Sequence, residues 1–152
     1  MIALRHGRPD ERAALEDLQR RASLMWEEYR PFLLANPDVI ELPLAQLQAR
    51  QVRVAEIGRE AVGFSVLLPR GPAFDLDGLF VEPAHWGRGI ARLLVADAAA
   101  IAGQAGAAAI EVIANPRAEG FYRKVGFAVS GPEQTLFGPA NRMRMLINRA
   151  QT

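Results

Sequence analysis

Apolar residues fall in a changing rhythm along this chain. Ile2 to Leu4 is short and apolar enough for a strand, and the Gly7–Pro9 breaker closes it. Asp10 and Glu11 then open a stretch in which Leu15, Leu18, Ala22 and Met25 recur on one helical face. The opposite face sets Glu16 four residues before Arg20, and Asp17 four before Arg21, the favourable order for ion pairs on a solvated helix. Trp26 to Ala35 is more broken, interrupted by Pro31 and ended by the turn Asn36-Pro37-Asp38, and Pro43 to Ala49 suits a short helix.

After Gln51 the period becomes two. Val52 and Val54 alternate with polar neighbours from Gln51 to Glu56, as in a half-buried strand. Gly58-Arg59-Glu60 predicts a turn and Ala61 to Leu68 a second strand. Pro69-Arg70-Gly71-Pro72 predicts a break, and Phe74 to Val81 a third strand. A glycine-bearing loop, Pro83 to Gly89, feeds a helix with Ile90, Leu93, Leu94, Ala98 and Ile101 on one side, its alanines favouring helix and close packing. Gly103 and Gly106 end that helix before an apolar strand from Ala108 to Ala114. Asn115-Pro116 offers a capping side chain followed by proline at the first helical position, and Gly126 supplies the stop. Strands around Phe127–Ser130 and Arg142–Ile147 finish the pattern, with Arg142 and Arg144 on one strand face and Met143 and Met145 on the other.

Short turns make the first three of these strands antiparallel, whereas the crossover through the Ile90 helix makes the flanking strands parallel. The expected fold class is α/β (α+β): a mixed, mostly antiparallel sheet with one parallel strand pair and helices on both faces. With 152 residues, no repeat and no linker-like tract, residues 1–152 are expected to form a single domain.

Composition narrows the chemistry. Eighteen Lys+Arg against 17 Asp+Glu give a formal charge of +1, which supplies no broad field for nucleic acid or a membrane surface. The absence of cysteine excludes disulfides, Cys-ligated zinc, thiol redox chemistry and a cysteine nucleophile. The opening residues lack the apolar core of a secretory signal, and Ile90 to Ala114, the most apolar stretch, is interrupted by Arg92, Asp97, Gln104 and Glu111. A cytoplasmic location is expected. His6 and His85 have no ligand spacing, so no metal is expected.

The segment Leu79-Phe80-Val81-Glu82-Pro83-Ala84-His85-Trp86-Gly87-Arg88-Gly89-Ile90-Ala91-Arg92 reads as strand, loop and helix start. A first helical turn leaves backbone N–H groups unpaired and carries partial positive charge, and glycines at 87 and 89 let an anion approach them. A phosphate or pyrophosphate is the expected guest. Arg92 stands where a dinucleotide fingerprint needs a small residue, and the lone lysine, Lys124, is far from any P-loop position. A tight turn with no ligand remains open on glycine spacing alone.

Val81-Glu82-Pro83 with Trp86-Gly87-Arg88-Gly89-Ile90-Ala91 resembles the Val-x-Pro and Gln/Arg-x-x-Gly-x-Gly/Ala elements of the GNAT superfamily of N-acetyltransferases, except that Trp86 takes the Gln/Arg position. A second stretch, Asn115-Pro116-Arg117-Ala118-Glu119-Gly120-Phe121-Tyr122-Arg123-Lys124-Val125-Gly126-Phe127, resembles the Asn-x-x-Ala-x-x-Phe-Tyr-x-x-x-Gly-Phe signature of the same superfamily. The strong likeness spans Phe74 to Phe127.

The resemblance implies a GNAT-like fold and acetyl-CoA as co-substrate. It implies that the backbone of Gly87, Arg88, Gly89, Ile90 and Ala91 holds the pyrophosphate, with Arg88 and Arg92 as further phosphate contacts. It implies that Phe80 and Val81 pair with the pantetheine arm between splayed parallel strands, and that Asn115 caps its helix and touches that arm. Tyr122 is implied as the general acid for the departing thiolate, although Ala118, Phe121, Tyr122 and Val125 also share one core-facing helical stripe. An ammonium has no lone pair, and a lysine-like amine has a pKa of about 10.4, so a base or water chain is needed. Asp75 occupies the family's acidic strand position and Asp77 follows on the same strand face. Trp26, Tyr29 and Phe32 are candidates for the wall of an acceptor pocket.

The implied activity is N-acetyl transfer to a primary amine, on a small molecule or peptide, by direct attack in a ternary complex. The alternatives are a non-catalytic acyl-CoA sensor and a nucleotide-binding domain using the same loop. A homodimer is common in the family and is left open by the sequence.

Overall fold

The computed structural model describes residues 1–147. Seven strands are hydrogen-bonded in the order β1-β2-β3-β4-β5-β7-β6: β1 (Ile2–His6), β2 (Val52–Ile57), β3 (Glu60–Arg70), β4 (Ala73–Val81), β5 (Ala109–Ala114), β6 (Ala128–Thr135) and β7 (Gly138–Leu146). The helices are α1 (Arg12–Leu24), α2 (Arg30–Ala35), α3 (Leu44–Gln48), α4 (Ile90–Gln104) and α5 (Glu119–Lys124). Three short 3-10 turns, Pro9–Glu11, Pro83–His85 and Pro116–Ala118, each begin with proline, whose fixed φ suits a helix start. As the crossover rule requires, β4 and β5 are parallel, while β1–β2, β2–β3, β5–β7 and β6–β7 are antiparallel. The expected mixed sheet is thus observed.

The fold divides into two compact units, Met1–Val66 with Gly78–Leu94, and Leu67–Asp77 with the chain from Val95 onward. In the first, Val52 and Val54 of β2 are buried, as their alternation predicts, together with Ala55 beside a register shift and with Val62 and Phe64 of β3. Ala55, Val62, Val81, Ile90 and Leu94 form one apolar cluster, so the end of β4 and the start of α4 are both anchored in core. Arg5 on β1 ties this unit together electrostatically, bonding Glu11 at 2.7 and 3.0 Å and Glu56 on β2 at 2.8 Å. In the second unit Ile110 and Val112 of β5, Met143 of β7 and Ala98 and Ala102 of α4 are buried. Ala108 donates to Pro72 and Ile147 to Ala108, closing the turn before β5.

Several boundaries differ from the sequence reading. Strand β3 passes through Pro69 to Arg70 instead of breaking there, because a proline φ is compatible with extended backbone at a strand's end. The last hairpin is longer than expected, with β6 reaching Thr135 and β7 starting at Gly138. Helix α1 stops at Leu24, so Met25 lies past its apolar stripe and is half exposed, while Leu15, Leu18 and Ala22 are buried as expected. The α1 charges find partners beyond their own helix face. Glu16 accepts from the Leu42 N–H at 2.8 Å, Arg20 donates to the Pro37 carbonyl, and Arg21 reaches Glu82. Among the described residues no helix is long and apolar enough to cross a membrane.

Candidate active site

The first unit carries the glycine loop. Val81 ends β4 buried, and the chain turns through Pro83–His85 to Gly87 and Gly89, whose φ angles are +83° and +80°. That left-handed conformation penalises any Cβ, and a Cβ built at either glycine meets nothing within 4 Å, so the backbone lies open. Leu93 N–H donates to Gly89 O at 3.0 Å, the first bond of α4. The amides from Gly89 to Arg92 precede it and lack an intrahelical acceptor, as at any helix start. Unobstructed amide donors at the positive end of a 15-residue helix are suited to an anion.

Side chains around the loop hold it from three directions. Arg21 of α1 forks onto Glu82, with Nη2 to Oε2 at 2.7 Å and Nε to Oε1 at 2.8 Å. Trp86 Nε1 donates to the Val81 carbonyl at 2.8 Å, and its ring lies 6.1 Å from that of Trp26 at 39°. The Val81 carbonyl, part of the backbone expected to pair with pantetheine, therefore accepts from Trp86. Phe80, half-buried, packs on Phe64 with ring centroids 5.3 Å apart. Arg88 Nη1 donates to His85 Nδ1 at 3.1 Å, so that nitrogen accepts and the ring proton sits on Nε2. Arg92 is exposed, and Ile90 is buried beneath the loop. Of the aromatic residues considered for an acceptor wall, Trp26 meets Trp86, Tyr29 precedes α2, and Phe32 lies on it.

The second unit holds the remaining candidates. Asn115 Oδ1 accepts from the Arg117 N–H at 2.8 Å, the cap its sequence context predicts. Tyr122 on α5 is buried, its ring edge-on to Phe121 at 5.2 Å and to Phe127 at 5.4 Å. The parallel ladder joins Ala73, Phe74 and Asp75 to Ala109, Ile110 and Glu111, while β4 continues to Val81 and β5 to Ala114. Asp75 is thus the last β4 residue registered against β5. Arg70 Nη1 donates to its Oδ2 at 3.2 Å, and Arg142 Nη1 lies 3.8 Å from its Oδ1. Asp77, two residues on, is exposed, and its carboxyl is raised above the ordinary aspartate range by partial desolvation and then by the charge of Asp75.

The model of the acetyltransferase (GNAT) domain matches residues 48–129, just over half the 152-residue chain, and that span holds β4, the glycine loop, α4, β5 and Tyr122. The chain belongs to the GNAT acetyltransferase family.

Solved structures share the fold of this GNAT protein over nearly its whole length. The PaiA N-acetyltransferase of Thermoplasma acidophilum, in complex with coenzyme A, superposes with a TM-score of 0.81 at 19% identity, covering 96% of this chain and 99% of that one. YncA of Salmonella typhimurium, with its cofactor acetyl-CoA, gives 0.75 at 19% identity over 97% and 95%. The ribosomal-protein-S18-alanine N-acetyltransferase of Escherichia coli gives 0.73 at 15% identity over 97% and 95%. No curated protein matches the sequence.

In this GNAT chain sequence reasoning did not foresee the Trp86–Val81 bond, the Trp26–Trp86 contact or the Arg21–Glu82 fork. The one available signal was Trp86 itself, an indole where the family motif has a polar side chain. An indole N–H needs an acceptor when partly buried, and the nearest backbone carbonyl supplies it.

Proposed function

We propose that this protein is an acetyl-CoA-dependent N-acetyltransferase that moves an acetyl group to a primary amine, on a small molecule or peptide, by direct attack in a ternary complex in the cytoplasm. The observation that carries this is the open left-handed glycine pair, Gly87 and Gly89, at the start of α4 inside a GNAT domain. The fit to coenzyme A is physical: a pyrophosphate needs convergent amide donors with no side chain in the way. PaiA and YncA, which share the fold, hold coenzyme A and acetyl-CoA.

Acetyl-CoA supplies an activated thioester: the amine nitrogen attacks its carbonyl carbon, the C–N bond forms, and the C–S bond breaks with its electron pair left on sulfur. In our reading the amides of Gly87, Arg88, Gly89, Ile90 and Ala91 bind the pyrophosphate, and Arg88 and Arg92 add guanidinium contacts. The backbone of Phe80 and Val81 at the end of β4 pairs with the pantetheine arm, and Asn115 touches it. Tyr122 Oη gives its proton to the departing sulfur and regains one that the nitrogen loses as it becomes an amide. A carboxylate on β4 takes the other proton from the incoming ammonium, so the sum is amide, thiol and one proton released. Without cysteine the chain has no thiol for an acyl-enzyme, which agrees with direct transfer.

The test is calorimetry of acetyl-CoA binding followed by thiol release with spermidine, L-lysine and a short peptide with a free N-terminus. Binding with amine-dependent release is expected. Binding with no release from any amine would assign a sensor role instead, and no binding would end the reading altogether.

A further inference from the structure

Two aspartates on one face of β4 live in opposite surroundings. Asp75 sits within a charge-matched network that crosses five strands. Arg70 and Arg142 face its two oxygens, Arg142 also bonds Glu111 of β5 at 3.0 Å and Glu133 of β6 at 3.2 Å, and Arg144 of β7 lies 3.4 Å from Glu111. Each carboxylate of that network has a guanidinium. Asp77 lies two residues beyond Asp75↔Glu111, the last registered pair of β4 with β5. Its side chain is exposed, and among the described residues it has neither an ion-pair nor a hydrogen-bond partner.

We propose that Asp77, rather than Asp75, is the carboxylate that docks the acceptor ammonium and removes its proton, while Asp75 is a positioning residue held by Arg70 and Arg142. This rests on the acetyltransferase reading. A base must offer a free lone pair to a proton that arrives from outside. The Asp75 oxygens are directed at guanidinium groups: Arg70 donates to both, and Arg142 lies 3.8 Å from Oδ1. Asp77 keeps its lone pairs for an incoming cation. Asp75, fixed beside it and negative, attracts the ammonium and strengthens the Asp77 hold on the proton once taken. The charged group that bears on Asp77 is Asp75 on its own strand; Arg70 on β3 and Arg142 on β7 face Asp75, and Glu111 on β5, Glu133 on β6 and Arg144 on β7 complete the network around it.

The test compares Asp77→Asn and Asp75→Asn in the full chain, with acetyl-CoA and the same three amines. Asp77→Asn is expected to lower kcat by about 100-fold, the scale of one general base, with acetyl-CoA affinity unchanged and the acidic limb of the kcat–pH profile gone. Asp75→Asn is expected to keep that limb but shift it to lower pH, because the neighbouring negative charge is lost. A second readout needs no substrate. The folded state disfavours ionised Asp77, so Asp77→Asn should raise Tm at neutral pH, and the gain should vanish at pH values where the carboxyl is protonated in both folded and unfolded chains. Undiminished turnover of Asp77→Asn, or a fall in its Tm at neutral pH, would overturn the proposal. If the unmutated protein turns over but Asp77→Asn is unaffected, only this assignment fails. If the unmutated protein releases no thiol at all, the acetyltransferase reading fails with it.

Discussion

Arg21 and Glu82, 61 positions apart, meet in a two-pronged ion pair at 2.7 and 2.8 Å that ties the last turns of α1 to the first residue after β4. Glu82 is the better buried partner, with a side chain 19% exposed against 53% for Arg21. Hydrogen bonding to Glu82 holds the Arg21 proton more tightly than usual. Exposed pairs contribute little to global stability, so Glu82→Gln should cost less than about 1 kcal/mol. Its larger effect should be local: faster proteolysis within Pro83–Gly89 and a several-fold rise in the Kd for acetyl-CoA. Limited proteolysis and calorimetry would check both, and an unchanged Kd with unchanged cleavage would reduce the pair to surface decoration.

The glycines separate backbone strain from crowding. Gly87→Ala and Gly89→Ala have free space for the new methyl group but place an L-residue at φ near +80°, which costs about 1–2 kcal/mol. Gly120, in α5, also has open space but no such φ, so Gly120→Ala should stabilise the protein by about 0.5–1 kcal/mol. Chemical denaturation of the three variants should therefore split by sign. Gly89→Ala should also weaken acetyl-CoA binding, because its methyl group intrudes on the amides proposed to hold the pyrophosphate.

Tyr122 has a packing role and a proposed role as acid, which different substitutions separate. Its ring is wedged between Phe121 and Phe127, so Tyr122→Ala should cost about 3–5 kcal/mol as a buried aromatic lost to a cavity. Tyr122→Phe keeps the ring and removes only the hydroxyl. It should retain most stability and acetyl-CoA affinity while lowering kcat by about 100-fold. Steady-state kinetics beside a melting curve would check this, and unchanged turnover of Tyr122→Phe would take the hydroxyl out of the chemistry.

What was legible in the sequence was local. Val52 and Val54 announced β2 by their period, Asn115-Pro116 announced a helix start, and Gly87 with Gly89 announced an exposed turn into α4, because each signal lies within a few residues of its consequence. The two motifs carried the family because they encode the same local geometry. Pairings across the chain left no such trace. Nothing near Arg142 in sequence points to Glu111 or Asp75, since their meeting depends on the register of β5 against β7 and of β4 against β5. The face shared by Asp75 and Asp77 was readable from strand alternation, but which of them is held by arginine was not. Likewise the i,i+4 spacing of Asp17 and Arg21 was visible, whereas the reach of Arg21 to Glu82 required the fold.

Acid stability should depend on Glu11. Burial pushes its carboxyl pKa up, but the side-chain bonds from Arg5, the Arg8 backbone N–H and the attraction of both cations outweigh that, and the net direction is down. A carboxylate depressed in the folded state contributes stability that is complete above its unfolded value, about 4.3 for glutamate, and is lost as pH falls through the lower folded value. Unfolding free energy of the native protein should therefore fall below about pH 4 more steeply than that of Glu11→Gln. At neutral pH the order reverses in interest: Glu11→Gln should be the less stable protein, because Arg5 keeps Glu56 at 2.8 Å but loses its two-pronged partner on the turn before α1. The gap between the two denaturation curves should close as the pH drops. Parallel curves from pH 7 to pH 3 would mean that the Arg5–Glu11 pair contributes no proton-linked stability.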